Sequence, residues 1–320
     1  MSIVVTGAAG FIGSCLVRML NDRGIRDVYL VDDIGESAKW KHFVNKEYID
    51  YFHKDEFLGI LPELKGLTHI IHMGACSSTT ERDFDYLYRN NFDYTRKLWQ
   101  YCVENNISFI YASSAATYGD GKEGFDDEDD IHRLRPLNGY GYSKHLFDLW
   151  AEKQTKVPKQ HVGLKFFNVY GPNEDCKDDM ASVIFKSFNQ INEVGRVKLF
   201  RSHNPDYKDG GQLRDFVYVK DICKVISFLI DHPDISGLFN LGTGKARSFK
   251  DLAEATFHAM GVTPNIEYID MPISIRDKYQ YFTEAKMDKL RNAGYTEGFY
   301  SLEDGVEDYV KNYLIPNQVC

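Results

Sequence analysis

Ser2-Ile3-Val4-Val5-Thr6-Gly7-Ala8-Ala9-Gly10-Phe11-Ile12-Gly13 opens the chain. A β-branched run leads straight into three evenly spaced glycines, and these into an amphipathic stretch over residues 11–23. Such a turn needs backbone angles open to glycine, lets a pyrophosphate touch the main chain, and packs a helix on a strand. The helix then presents free N–H groups to the phosphates. The spacing is Gly-x-x-Gly-x-x-Gly rather than the commoner Gly-x-Gly-x-x-Gly, so context has to decide. A strand precedes the glycines, and Asp32 ends the next strand about 20 residues on, where a ribose hydroxyl is bound. Gly7, Gly10, Gly13 and Asp32 therefore predict a dinucleotide site. Asp32 and Asp33 repel a 2′-phosphate while Lys39, Lys41 and Lys54 attract one, which leaves NAD and NADP both open.

Outward from this turn the alternation continues. Strand patterns fall at residues 3–6, 28–32, 48–52, 69–73, 108–112 and 162–166, with helical patterns at 11–23, 84–105 and 142–155. Strands separated by helices pair in parallel through right-handed crossovers. The expected fold is α/β: a Rossmann-type doubly wound parallel sheet with a smaller mixed α/β substrate-binding lobe. We place the dinucleotide-binding domain at residues 1–167 and the smaller lobe at 168–320, with return segments near 213–242. Helical patterns in the second half lie at 180–193, 221–230, 249–260, 284–293 and 302–313, and strand-like runs at 215–219 and 237–241.

A formal net charge of −9 argues against a general nucleic-acid binder. The six cysteines are scattered without a Cys-x-x-Cys pair, a pattern of reduced thiols in a cytosol. His69 and His72 lie three apart on an expected strand and so face opposite sides; no metal site is expected. No signal-peptide pattern and no apolar run near the ~20 residues of a membrane span is visible. The expectation is a soluble, cytoplasmic protein. The acidic run over residues 126–130 reads as a solvated loop.

Hydride can leave a secondary alcohol only if a group takes the hydroxyl proton. A tyrosine does so when a lysine one helical turn away lowers its pKa, which requires Tyr-x-x-x-Lys on a helix. The spacing occurs twice. Tyr118/Lys122 sits in a glycine-broken stretch that cannot hold it, whereas Tyr140/Lys144 opens a helical pattern. Ser113 and Ser114 end the fifth expected strand, where ligands of a parallel sheet gather. A hydroxyl there can hold the substrate oxygen beside Tyr140.

The glycine turn, Tyr111-Ala-Ser-Ser-Ala, the Tyr140/Lys144 pair and Phe166-Phe167-Asn168-Val169-Tyr170-Gly171-Pro172 resemble the extended short-chain dehydrogenase/reductase family along the whole chain. Further stretches resemble its branch that inverts C6″ of an ADP-linked glycero-manno-heptose. These are Gly74-Ala75-Cys76-Ser77-Ser78-Thr79-Thr80, Met180-Ala181-Ser182, Arg214-Asp215-Phe216-Val217-Tyr218-Val219 and Lys278-Tyr279-Gln280. The resemblance implies an epimerase acting by transient oxidation and re-reduction, with tightly bound NADP, or NAD. Tyr140 and Lys177 would be its two acid/base groups, supported by Lys144 and Ser114. Phe11, Ile12, Asp32, Asp33, Lys39, Lys54, Gly74, Ala75, Cys76, Ser77, Asn90, Lys144 and Val169 would line the cofactor. Asn168, Asp179, Lys186, Phe200, Arg201, Ser202, His203, Arg214 and Tyr279 would line the nucleotide-diphospho-sugar, with Arg214 suited to the diphosphate. It also implies a homo-oligomer, as large as a pentamer.

The chain departs from that pattern at Asp33, where Asn is expected, at Asp179 for Ser, at Lys186 for His, and in a longer 203–212 segment. Two other readings stay open: a nucleotide-sugar 4-epimerase on a UDP- or GDP-hexose, needing only Tyr140, and a non-catalytic dinucleotide sensor.

Overall fold

In the computed structural model, residues 1–276 and 279–320 are described, without the side chains of 178, 179, 274 and 275. The first half runs β1 (Ser2–Thr6), α1 (Phe11–Asp22), β2 (Val28–Asp32), β3 (Asp50–His53), α2 (Lys54–Ile60), β4 (Leu67–His72), α3 (Phe84–Leu87), α4 (Tyr94–Asn105), β5 (Ser108–Ser114), α5 (Gly139–Glu152) and β6 (His161–Phe166). The second half runs β7 (Asn168–Tyr170), α6 (Val183–Val194), β8 (Val197–Phe200), β9 (Leu213–Tyr218), α7 (Val219–Asp231), β10 (Gly237–Leu241), β11 (Ala246–Ser248), α8 (Phe249–Ala259), β12 (Ile266–Ile269), α9 (Ile273–Arg276), α10 (Asp288–Asn292) and α11 (Leu302–Tyr309).

Seven strands form one parallel sheet in the order β10-β6-β5-β4-β1-β2-β3. The strand order reverses between β1 and β4, and ligands of such sheets bind at that point, outside the carboxyl ends. Val4, Ile70 and Phe109 on one side of the sheet, and Ile3, Val5 and Ile110 on the other, are fully buried in two separate apolar cores. Strands with both faces covered explain the near-continuous apolar runs of the sequence.

Two smaller sheets lie beyond β6. Strand β9 pairs in parallel with β7 and antiparallel with β11, while β8 pairs in parallel with β12. Strands β7, β8, β11 and β12 were not anticipated. Each has only three or four residues and β12 is nowhere fully buried, so none carries a clear two-residue alternation. The helical pattern over 84–105 is not one α-helix either. A π-helical segment, Tyr88–Asp93, interrupts it between α3 and α4. Lys278 of the quoted motif and the side chain of Asp179 lie outside the described residues. Among the described residues, no helix is long and apolar enough to cross a membrane.

Candidate active site

A cleft of about 1270 Å³ runs over the carboxyl ends of the central strands, touching Thr6, Asp32, His72, Ser114 and Phe166 at the ends of β1, β2, β4, β5 and β6. Its floor is the glycine turn. Gly7 has φ +66°, and a Cβ there would stand 2.6 Å from Gly74 N. At Gly13 a Cβ would lie 2.1 Å from Gly7 O. Helix α1 starts at Gly10 without a side-chain cap, so its first N–H groups are left for a ligand. This uncapped helix end, with main chain approachable only because side chains are missing, fits the pyrophosphate of a dinucleotide.

Asp32 is held by three donors: Ala9 N at 2.8 Å, its neighbour's Asp33 N at 2.7 Å, and Lys39 Nζ at 2.8 Å. Asp33 has His53 Nε2 at 3.5 Å and Lys54 Nζ at 3.9 Å. Two carboxylates and two ammonium groups therefore meet at the ribose end of the site. Gly74, Ala75, Cys76, Ser77, Asn90 and Val169 line the same cleft, as do Phe11 and Ile12. Asn91, which sequence reasoning passed over for its neighbour Asn90, is what fixes this wall. Buried to 1%, it accepts from Cys76 N at 2.8 Å and donates to Cys76 O at 2.9 Å and to Ser143 Oγ at 3.0 Å. Its role comes from the π-helical turn, which has no sequence signature at this length. His72, read from the sequence only as facing away from His69, has a specific setting. It lies between Thr6 Oγ1 at 2.6 Å and Thr95 Oγ1 at 2.9 Å, and burial pushes it down to about 3. It is a neutral core histidine.

Helix α5 is capped by Asn138, whose Oδ1 accepts from Gly141 N at 2.8 Å. It carries Tyr140 and Lys144 on one face. Tyr140 lines the cleft and is hydrogen-bonded to Ser114, the last residue of β5. Lys144, 4% exposed, donates from Nζ to Ala112 O at 2.9 Å. The expected lowering of the phenol by Lys144 is not found. Burial pushes Tyr140 up, and the offsetting influence is the Ser114 bond. The lysine itself is brought down to about 8, chiefly by burial, with Asp148 opposing. The alternative pair is out of play: Tyr118 donates to Asn240 Oδ1 at 2.7 Å in the core, and Lys122 is paired with Asp120 at 2.7 Å.

Lys177 reaches the cleft from the 3-10 helix Glu174–Met180, with Nζ 5.4 Å from the Phe11 ring. Burial pushes it down while Glu174 opposes. On the far side, Asn168, Arg214 and Tyr279 line the cleft. Arg214 is buried to 8%, with its guanidinium carbon 5.3 Å from the Tyr279 ring centre and 5.7 Å from that of Phe249. Phe200, Arg201, Ser202, His203 and Lys186 do not line it. Phe200 stands behind Tyr279, ring centres 6.5 Å apart, and His203 N donates to Tyr281 Oη at 3.0 Å. Ser202 Oγ donates to Asn204 O at 2.7 Å, and Arg201 faces Asp270 at 3.5 Å. The loop folds on the tyrosines rather than into the cleft.

This geometry has known counterparts. Residues 3–242 match the NAD dependent epimerase/dehydratase family. The chain belongs to that family. It is 55% identical over 317 residues to an ADP-L-glycero-D-manno-heptose-6-epimerase of Nitratidesulfovibrio vulgaris (strain DP4), covering 97% of each chain. To the enzyme of that name from Fusobacterium nucleatum subsp. nucleatum it is 51% identical over 324 residues, 98% of each. Among solved structures it resembles the Helicobacter pylori ADP-L-glycero-D-manno-heptose-6-epimerase with a TM-score of 0.79 and 27% identity, covering 97% of this chain and 95% of that one. It also resembles the UDP-N-acetylglucosamine 4-epimerase of Methanobrevibacter ruminantium M1, with a TM-score of 0.83 and 25% identity over 99% of each chain.

Proposed function

We propose that the chain inverts C6″ of ADP-glycero-manno-heptose by transient oxidation and re-reduction. The observation that carries this is the meeting of Tyr140, Ser114 and Lys177 in one cleft beside the glycine turn, in a chain 55% identical to an enzyme of that name. C6″ has no neighbouring carbonyl, so its hydrogen is not acidic and inversion must pass through a ketone. The residues of the glycine turn would hold a nicotinamide dinucleotide, which would supply the hydride acceptor and donor for that ketone.

The protein's own work is proton transfer and placement. Burial drives Tyr140 toward the phenol and Lys177 toward the free amine. Environments that push two groups apart define an acid and a base. The Lys177 amine accepts the C6″ hydroxyl proton in one orientation of the sugar's terminal carbon. In the other orientation the Tyr140 hydroxyl donates its proton to the ketone oxygen, held by Ser114. Solvent returns the proton between turnovers. Arg214 binds the diphosphate. We assign residues 168–320 to the substrate lobe, apart from return segments near 213–242, of which β10 joins the seven-stranded sheet.

Incubation with ADP-D-glycero-D-manno-heptose, read by NMR at C6″, should give both epimers without net redox change. If C6″ stays unchanged while a UDP- or GDP-hexose is inverted at C4″, the 4-epimerase reading wins. That reading draws on the likeness to the M. ruminantium enzyme and leaves Lys177→Ala nearly fully active.

For the coenzyme we propose NADP, on Lys39 and Lys54; Asp33 is the feature favouring NAD. Asp33→Asn should improve the NADP-to-NAD affinity ratio about tenfold, or ~1.4 kcal/mol. Titration calorimetry with both dinucleotides checks this, and an unchanged ratio removes Asp33 from coenzyme selection.

Lys144 sets an alkaline limit. Its cationic form is needed beside the coenzyme and Tyr140, so kcat falls as pH rises through about 8. Stability moves the other way. With the folded value lowered from 10.5, the unfolded chain holds the extra proton between the two values, and this lysine's contribution to stability grows with pH across that window. A pH–rate profile beside urea melts at pH 7.5 and 9.5 reads both signs.

A further inference from the structure

Lys177 rides on a short turn that belongs to no sheet, yet it must meet a coenzyme seated on a different element. A misplacement of about 1 Å at such a group costs on the order of 10²-fold in rate. One end of the turn is anchored by Glu174, buried to 1%, which accepts from Ser182 N and Ser182 Oγ, each at 2.6 Å, at the start of α6. The other anchor crosses to the glycine turn. His42, 1% exposed in the 3-10 helix Ala38–Phe43, has Nδ1 2.7 Å from Ala9 O and Nε2 3.0 Å from Asp175 Oδ1. A carbonyl and a carboxylate are both acceptors, so the ring makes both contacts only by donating from each nitrogen. The Asp175 carboxylate is an ionised acceptor, so its bond to the ring is the charge-assisted one of the two. The Asp175 carboxyl is held below its usual range, with the His42 bond the largest cause and Lys41 adding to it.

We infer that His42 and Asp175 are positioning residues: a strut that registers the Lys177 turn against the main chain on which the coenzyme's pyrophosphate lies. The inference rests on the role given to Lys177 above. Three facts converge on it. Ala9 lies between two of the cradle glycines and donates its N–H to Asp32 at 2.8 Å, so one residue of the turn touches both the ribose-binding acid and the strut. Asp175 stands two residues before Lys177. The lysine then lies over Phe11, the first residue of α1.

The test uses the full chain with NADP added, in the variants His42→Gln, Asp175→Asn and both together. Glutamine has its donors on a single nitrogen and cannot span two acceptors. The first readout is acetylation of each lysine by acetic anhydride, resolved by peptide mass spectrometry. Lys177 labelling should rise about tenfold in either single variant, no further in the double, with Lys144 labelling unchanged. The second is the kinetic split: kcat for C6″ inversion falls about tenfold while KM stays within about twofold. Faster Lys177 labelling at unchanged kcat upholds the strut and removes Lys177 from catalysis, which separates the two ideas. Should His42→Gln fail to fold, Asp175→Asn carries the same test, since that side chain is 51% exposed. Folded variants with Lys177 labelling equal to the parent overturn the inference.

Discussion

Tyr140→Phe should lower kcat for C6″ inversion by about 10²–10⁴-fold, and Tyr140→Phe/Lys177→Met should be inert. The single substitution removes one oxygen and leaves the ring packed at the start of α5, where Asn138 caps the helix independently of the phenol. Dinucleotide affinity should therefore stay within about twofold. With the phenol gone, the ketone oxygen in one orientation meets only Ser114 and water, whereas the Lys177 half of the reaction survives. A single turnover of Tyr140→Phe should therefore still exchange hydride with one C6″ epimer and stall before the other. Deuterium at C6″ shows which. Equal loss with both epimers would mean that Tyr140 serves both orientations, and the division of labour with Lys177 would be wrong.

That division was only half visible in the sequence. Tyr140 and Lys144 announce themselves because the helix spacing is a local rule, and the glycine-broken Tyr118 stretch fails it. The edges of β2 and β10 fall at the expected residues, since strands buried on both faces leave an apolar run with sharp ends. Lys177 has no local rule behind it. Its turn is tied by Glu174 to Ser182, eight residues on, and by Asp175 to His42, more than a hundred positions away. The setting of Asn91 and of His72 has no local rule behind it either. Both work through hydrogen bonds set by strand order and by a π-helical turn, neither of which has a periodicity to read. The segment 200–203 is likewise placed by contacts that its sequence does not announce. Its loop closes on Tyr279 and Tyr281, and of these two Tyr279 lines the cleft. The pKa argument for Tyr140 failed on burial, which spacing cannot supply: desolvation of the phenol outweighs any help from its helix neighbour.

Gly13→Ala should abolish measurable dinucleotide binding and destabilise the fold by ~3 kcal/mol. The added methyl would lie 2.1 Å from Gly7 O, 2.8 Å from Gly7 C and 3.1 Å from Ala8 Cα, all of them main chain. No side chain can swing aside. Nor can the turn retreat freely, because Gly7 is backed by Gly74, whose N lies 2.6 Å from the point a Gly7 Cβ would occupy. Helix α1 must then lift from β1, and the uncapped N–H groups at its start leave the line of the pyrophosphate. Gly59→Ala is the matched control. It too lies in a helix, α2, but nothing comes within 4 Å of its added Cβ. It should gain the ~0.5–1 kcal/mol that alanine brings to a helix interior and bind dinucleotide normally. Urea melts and calorimetric titration with NADP separate the two substitutions. If Gly13→Ala binds within about threefold of the parent, the close approach of α1 to the turn is not what seats the coenzyme, and the cleft would need another floor.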